Sequence, residues 1–466
     1  MYEIALHLDV HGEKTLYEQI YEYLKDEIQR GAVRHGERLP STRMMASRLE
    51  VSRTTVQLAY EQLVSEGYVE NVPCRGYYVC QVGELYQLDT PVPEKADSGR
   101  QERKMYKYDF SPNGVDLKHF PYPAWRKLNR EVLQDDQKEL LRLGDAQGEE
   151  GLRNAIGSYL HQARGVQVHP SRIVVGAGND YLLMLLRSLL GGEYRIAMES
   201  PTYRHAYRVF QSLGFDCCTV SMDRHGMNVQ ELWESGADIA YVMPSHQFPL
   251  GTVMPIRRRQ ELLRWAAAEP GRYILEDDYD SEFRYVGKPI PALQGIDRNH
   301  RVIYMGTFSK SIAPAIRISY LVLPPELSER YESIGRSFSC TVSRTDQKML
   351  QLFMERGYFE RHLNRMRAVY KGRHDILLSE IRQIGGVRKV LGERAGVHIL
   401  LQFSADRSEK KLVEGAAGAG VRVYPLSEYC IDRQEHPPTV LLGYAGMEEN
   451  GIREAVRLLA EAWNGI

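Results

Sequence analysis

The sequence predicts a multidomain chain: a small α+β head, a polar linker and a large α/β domain built on a mostly parallel sheet. Three observations predict it. At 466 residues the chain is too long for one ordinary hydrophobic core. Residues 1–80 carry short helical patterns ending in a small strand pair, whereas residues 81–107, with QLDTPVPEKADSGRQERK near their centre, have no periodic core face and read as a linker. From 108 to 466 short apolar strands alternate with longer helical patterns, the pattern of a parallel sheet with helices crossing it.

Composition narrows the function classes. Hydrophobic residues at 43% and charged residues at 26% fit a soluble globular protein. A net charge of -1 leaves no global field for nucleic acid, so any such field must be local. Cys74, Cys80, Cys217, Cys218, Cys340 and Cys430 form no CxxC unit, which argues against thiolate metal sites and for free thiols in a reducing cytoplasm. The opening MYEIALHLDVHGEK lacks a basic start followed by a long apolar run, so no leader is expected. The apolar stretch Tyr181–Leu190 is too short to span a bilayer and contains Arg187, so no membrane partner is expected.

In the head, Leu16, Ile20, Leu24 and Ile28 recur every four residues and predict one buried helix face. GAVRHGERLPST breaks that helix, and Ser41 is placed to cap a second one with Met44, Met45 and Leu49 as its apolar face. After a tight turn at Val51, Ser52 is placed to cap a third helix, whose face is Val56, Ala59, Tyr60 and Leu63. GYVENVPCRGYYV then reads as two short strands around a turn, a small wing with Arg75 and Gly76 near its tip. Two short helices joined tightly suit a helix-turn-helix, with Ser52, Arg53, Thr54 and Thr55 opening the recognition helix. Arginine reads guanine edges bidentately, and threonine reaches phosphate or a thymine methyl. Residues 1–80 are net acidic, nine Lys/Arg against twelve Asp/Glu, but residues 30–60 hold six arginines against Glu37 and Glu50. The basic character therefore sits on the proposed DNA-facing part, with Arg43 and Arg53 the preferred contacts. On residue physics alone a protein–protein helical module stays open.

In the large domain, IVVGAGNDYLLMLLRSLL reads as strand, glycine turn, helix, a place where backbone N–H groups hold an anion. RIAMESPTYRHAY places Tyr203 just beyond another strand, where it can stack on a flat ring or simply pack. RYILEDDYDSEF puts acidic residues after a short apolar strand, and RVIYMGTFSKSIAP puts Thr307, Ser309 and Lys310 after another. Ligands bind at such strand ends in open α/β sheets. Asp277, Asp278 or both are the carboxylates available there, and Lys310 is an amine that a pocket would keep neutral and nucleophilic. Spacing alone leaves Lys310 as a surface lysine equally open.

The segment LYEQIYEYLKDEIQRGAVRHGERLPSTRMMASRLEVSRTTVQLAYEQLVSEGYVENVPCRGYYV resembles the winged helix-turn-helix of the GntR family, with LPSTR, LEVSRTTV and LVSEGYV as landmarks. Residues from about 108 to 460 look like a fold type I aminotransferase domain, with a smaller α/β subdomain at the C-terminal end, on MPSHQFPLG, EDDYDSEF and YMGTFSKSIAPAIRISYLVLP. The combination resembles the MocR subfamily of regulators. That resemblance implies a homodimer on double-stranded operator DNA, contacted through Arg43, Ser52, Arg53, Thr54, Thr55, Arg75 and Gly76. It implies pyridoxal 5'-phosphate as cofactor, with Lys310 as the Schiff-base lysine and Asp277 on the pyridine nitrogen. It further implies Tyr279 near the phenolic oxygen, Tyr203 on the ring and Gly178, Asn179, Thr307, Ser309 and Arg317 around the phosphate, with Ser245 and His246 lining the pocket.

Three departures stand out. Phe248-Pro249-Leu250-Gly251 replaces the Asn-Pro-Thr-Gly loop whose asparagine bonds the phenolic oxygen. Leu143 stands where a tyrosine commonly reaches a phosphate across the dimer, and Thr439 and Val440 stand where an arginine clamps a substrate carboxylate. Arg204 and Arg422 are candidate substitutes for that clamp. The expected function is transcriptional regulation answering to a small-molecule effector, an amine or amino-acid-like compound or the cofactor itself; the alternative is an aminotransferase with an accessory head.

Overall fold

The computed structural model describes residues 6–9, 14–81, 106–134, 138–285, 287, 290–334, 337–432 and 436–464. Two compact units emerge, Met1–Arg103 and Lys104–Ile466. Residues 82–105, nearly all of the expected linker, lie outside the described residues.

In the first unit, α1 (Leu16–Gln29) packs on α3 (Arg53–Ser65). Ile20, Leu24 and Ile28 meet Val56, Ala59, Tyr60 and Leu63 in one core, with Leu16 only half-buried at the helix start. The short α2 (Thr42–Arg48) turns Thr42, Met45 and Ala46 inward. Met44, expected in the apolar face, is 57% exposed: two turns of helix bury only positions three and four apart. Both predicted serine caps form, Ser41 Oγ accepting from the Met44 amide at 3.2 Å and Ser52 Oγ from the Thr55 amide at 3.1 Å. Strands β1 (Val69–Val72) and β2 (Gly76–Val79) pair antiparallel as the wing.

The second unit is built on seven strands. In chain order they are β3 (Ile173–Gly176), β4 (Arg195–Glu199), β5 (Asp216–Val220), β6 (Ile239–Val242), β7 (Tyr273–Asp278), β8 (Val302–Thr307) and β9 (Ser319–Val322). Across the sheet they run β3-β9-β8-β7-β6-β4-β5, and only β9 is antiparallel to its neighbours. Nearly every residue of β3, β6, β7, β8 and β9 is buried, as expected of a sheet covered on both faces, whereas the edge strand β5 buries only Val220. Helix α4 (Glu150–Arg164) precedes β3, α5 (Asn179–Leu190) connects β3 to β4, and α6 (Arg204–Ser212) connects β4 to β5.

A second, four-stranded antiparallel sheet follows: β10 (Val387–Leu391), β11 (His398–Phe403), β12 (Tyr424–Pro425) and β13 (Thr439–Gly443), in the order β10-β11-β13-β12. With α7 (Tyr358–Glu380) and the last helix α8 (Glu449–Trp463) it encloses its own core around Tyr370, Ile399, Leu442 and Trp463. Among the described residues no helix is long and apolar enough to cross a membrane.

Candidate functional site

The C-terminal ends of β3, β4, β6, β7 and β8 open on one edge of the large sheet, where an α/β sheet binds its ligands. A cavity of about 160 Å³ lies there, lined by Asn179, Tyr203, Asp277, Tyr279, Thr307, Ser309, Lys310 and Arg317 from the sequence expectations. Asn113, Asp180, His205, Met243, Phe248 and Ser319 complete it.

Strand alternation sorts the three acids of β7. Glu276 accepts the Leu293 and Gln294 amides at 2.8 Å each, and Asp278 pairs with Arg164 of α4 at 2.8 Å, both away from the cavity. Asp277 alone faces it, which resolves the open choice between Asp277 and Asp278. Its Oδ2 accepts from the Tyr241 hydroxyl at 2.5 Å, while its Oδ1 is buried without a partner. Burial, with Asp278 and Asp280 nearby, pushes the Asp277 carboxyl up to about 7. A buried acceptor left open is a place for a ligand N–H.

Lys310 follows β8 and donates to the Pro112 carbonyl at 3.0 Å. Loss of solvation brings its ammonium down to about 8, against the opposing pull of Asp280. Its amine is therefore available as a nucleophile near neutral pH.

At the other end of the cavity, α5 begins. Gly178 caps it with φ +92°, and a Cβ there would stand 2.3 Å from Arg317 Nη2, so only glycine lets that guanidinium lie over the helix start. Thr307 Oγ1 accepts from the Ser309 amide at 3.1 Å and the Ser319 hydroxyl at 2.9 Å. Helix amides, two hydroxyl side chains and a guanidinium make an anion cup. Asp180, 3.6 Å from Arg317 and 2.9 Å from His205, sits at the same mouth, a charge the sequence reading did not weigh. Tyr203 stands edge-on to Phe248, ring centroids 5.8 Å apart, walling the space between the two ends.

Several expectations need correction. Ser245 and His246 do not line the cavity. The chain turns after β6, and Arg164 Nη2 holds Ser245 Oγ at 2.6 Å on the other face, while His246 lies behind Tyr279, bonded to its hydroxyl at 3.0 Å. Neither Arg204 nor Arg422 reaches the cavity. Arg204 donates to the Glu428 carbonyl at 3.2 Å, and Arg422 lies over Tyr424 beside Asp109. His205 reaches it instead, because neighbours on a helix point about 100° apart. Thr439 and Val440 are buried in β13, and Leu143 is 91% exposed. Tyr241, the partner of Asp277, was missed; its place on β6, the strand beside β7, is the signal that would have found it.

In the first unit, Arg43, Ser52, Arg53, Thr54 and Arg75 are exposed. Arg53 Nε lies 3.4 Å from Thr42 Oγ1, which joins the recognition helix to α2. Thr55 is turned back: its hydroxyl bonds Ser52 Oγ at 2.8 Å, so both hydroxyls serve the cap. Gly76 opens β2 with φ +112° against the Arg38 side chain. Gln57 and Leu58, three and four residues beyond Thr54, are exposed on α3 and were not singled out by sequence.

Comparison with known proteins agrees with both units. Residues 107–459 match the family "Aminotransferase class I and II", and residues 16–79 match "Bacterial regulatory proteins, gntR family". The uncharacterized HTH-type transcriptional regulator YdeL of Bacillus subtilis strain 168 is 41% identical, with 96% of each chain covered. The probable rhizopine catabolism regulatory protein MocR of Rhizobium meliloti is 32% identical over 98% of this chain and 95% of its own. Among solved structures, a multiple substrate aminotransferase from Thermococcus profundus superposes with a TM-score of 0.69 at 27% identity, over 78% of this chain and 92% of that one. Full-length similarity runs to regulators, whereas similarity to the enzyme stops at the second unit. The chain therefore belongs to the MocR-type regulators of the GntR family, DNA-binding transcriptional regulators whose winged helix-turn-helix is joined to an aminotransferase class I and II domain for pyridoxal 5'-phosphate.

Proposed function

We propose that this chain is a cytoplasmic, homodimeric regulator that binds operator DNA through α3 and its wing and answers to a small molecule at the Lys310 cavity. The observation that carries the reading is the unpartnered Oδ1 of Asp277 in the cavity that also holds Lys310. Those two groups, with the anion cup at α5, match the three functional ends of pyridoxal 5'-phosphate: a ring nitrogen, an aldehyde and a phosphate. When bound, the cofactor supplies an electrophilic carbon and an electron-withdrawing ring.

The chain's residues then have separate tasks. Lys310 would supply the amine facing the aldehyde, Asp277 would accept the ring N–H, and Tyr203 would cover the ring. Gly178, Asn179, Thr307, Ser309 and Arg317 would hold the phosphate. In the head, Arg53 and Thr54 face the base edges, and Arg43 and Arg75 neutralise phosphates.

The effector is an amine, an amino-acid-like compound or the cofactor itself. The similarity to a probable rhizopine catabolism regulatory protein favours a small metabolite as effector. Whatever its identity, it controls transcription only by binding one DNA-binding arrangement more tightly than the other. The test is direct. The purified chain with added pyridoxal 5'-phosphate develops a visible absorption band that Lys310→Ala lacks while keeping its fold. Footprinting on the DNA flanking its gene shows protection that an amine panel alters. Absence of the band in wild type overturns the sensing half, and absence of sequence-specific protection overturns the DNA half.

A further inference from the structure

Behind the cavity lies a buried polar pair bonded to Tyr279. His246 and Asp280 are 3% and 1% exposed. His246 Nδ1 stands 3.0 and 2.9 Å from the two Asp280 carboxylate oxygens and 3.0 Å from the Tyr279 hydroxyl. Its Nε2 is buried without a partner. We propose that His246 and Asp280 act as a positioning pair that turns the Tyr279 O–H into the cavity as a hydrogen-bond donor, the donor that is lacking where Phe248 replaces an asparagine.

The hydrogen-bond geometry carries the argument. Were the imidazole proton on Nε2 alone, a buried N–H would have no acceptor and the Nδ1 lone pair would face two carboxylate oxygens. With the proton on Nδ1, one N–H serves Asp280 and the Tyr279 oxygen together, and Nε2 retains only an unused lone pair. A doubly protonated ring also donates through Nδ1. In each favourable state the Tyr279 oxygen accepts, so its own hydrogen is not spent on His246. Tyr279 lines the cavity, and its hydrogen chooses between that space and the Asp280 carboxylate beside it.

The ring has little freedom to do otherwise. A Cβ on Gly396, on the loop before β11, would stand 2.0 Å from His246 Cε1. On another side His398 of β11 packs with ring centroids 5.6 Å away; its Nε2 donates to the Pro249 carbonyl at 2.8 Å, and burial holds it down to about 3, so it stays neutral. The charged and titratable groups around the pair are thus Asp277 from β7, Tyr279 and Tyr285 after it, Lys310 after β8, His398 of β11 and Tyr444 after β13. Phe248, edge-on to the Tyr279 ring at 5.9 Å, offers no polar atom.

The consequence for the cofactor rests on the function proposed above. A donor aimed at the ring oxygen stabilises its negative charge, so the chromophore loses its proton at lower pH; removing the donor moves that midpoint up. The experiment has two arms. In the full chain without cofactor, histidine-selective ¹⁵N NMR, with His246 assigned by its loss in His246→Asn, is expected to show a protonated Nδ1. A ring protonated on Nε2 alone overturns the proposal.

In the loaded chain, the pH midpoint of the visible band is expected to rise by about one unit, tenfold in proton affinity, in His246→Ala and in Tyr279→Phe. The double variant is expected to rise no further than Tyr279→Phe. His246→Asn, whose amide N–H takes the place of Nδ1–H, keeps the wild-type midpoint. An unmoved midpoint in His246→Ala, additive shifts in the double variant, or no rescue by asparagine in a folded protein each overturn the proposal. Failure of wild type to form any band overturns the function proposed above instead, and the NMR arm then decides this inference alone.

Discussion

The state of the Lys310 amine gives the most direct test of the site, because it needs no cofactor. The cavity strips water from the ammonium, and the resulting midpoint of about 8 is well below an ordinary lysine. At about pH 7.5 roughly a quarter of Lys310 is then free amine, against about one in a thousand for an ordinary lysine, a ratio of about two-hundredfold. Between about pH 7.5 and about pH 9.5 the free fraction of Lys310 rises only about fourfold, whereas an ordinary lysine gains about ninetyfold. Competitive labelling with a trace amine-directed reagent, followed by peptide mass spectrometry, reads this ratio for each lysine. Restricted access scales the Lys310 rate but not its pH profile, so access does not confound the result. Asp280→Asn removes the charge that opposes the shift and is expected to lower the midpoint further. A Lys310 profile still climbing steeply above about pH 10 would refute the assignment of a desolvated cavity amine.

The other expectations bear on both units. Burial raises the folded-state carboxyl of Asp277 to about 7, so the penalty for its charge grows as pH rises from about 4 to about 7 and stays constant above. Without cofactor, wild type is expected to lose up to about 1.4 kcal/mol per pH unit relative to Asp277→Asn across that window; equal slopes in urea melts contradict it. Gly178→Ala drives a methyl into Arg317 at a left-handed position and is expected to weaken pyridoxal phosphate at least about tenfold while leaving unphosphorylated pyridoxal less affected; equal losses in a spectral titration argue against a phosphate cup. Ser52→Ala removes the cap of α3 and is expected to cost the head about 1 kcal/mol in thermal unfolding, and an unchanged melt would show the cap to be idle. Arg53→Ala is expected to cost about 1–3 kcal/mol of discrimination between operator and non-operator DNA, and equal binding by gel shift rejects it as a base contact.

Much of this was legible in the sequence because the signals are local. Four-residue spacing from Ile20 to Ile28 and the face of Val56, Ala59, Tyr60 and Leu63 predicted the head's core, and the serines before two short helices predicted its caps. The runs ending at Asp277 and Thr307 predicted two strand ends, and the fold makes those strands, β7 and β8, neighbours in the sheet. Met44 escaped because the length of α2 matters more than its apolar content. Ser245 and His246 were placed at the cavity by family resemblance alone, whereas the turn after β6 carries Ser245 to Arg164 and His246 behind Tyr279.

Residue type and short-range order thus determined the two units, the strand-end lysine and aspartate, and the arginines offered by the head. Tertiary structure decided which atoms are left unsatisfied. Asp278 is spent on Arg164, Thr55 on Ser52, and Arg204 on a backbone carbonyl, whereas one oxygen of Asp277 has no partner at all. Partners of this kind come from positions up to 224 residues apart, as for Arg204 and Glu428. Chemical availability depends on what burial and pairing have already consumed, and those are properties of the packed chain.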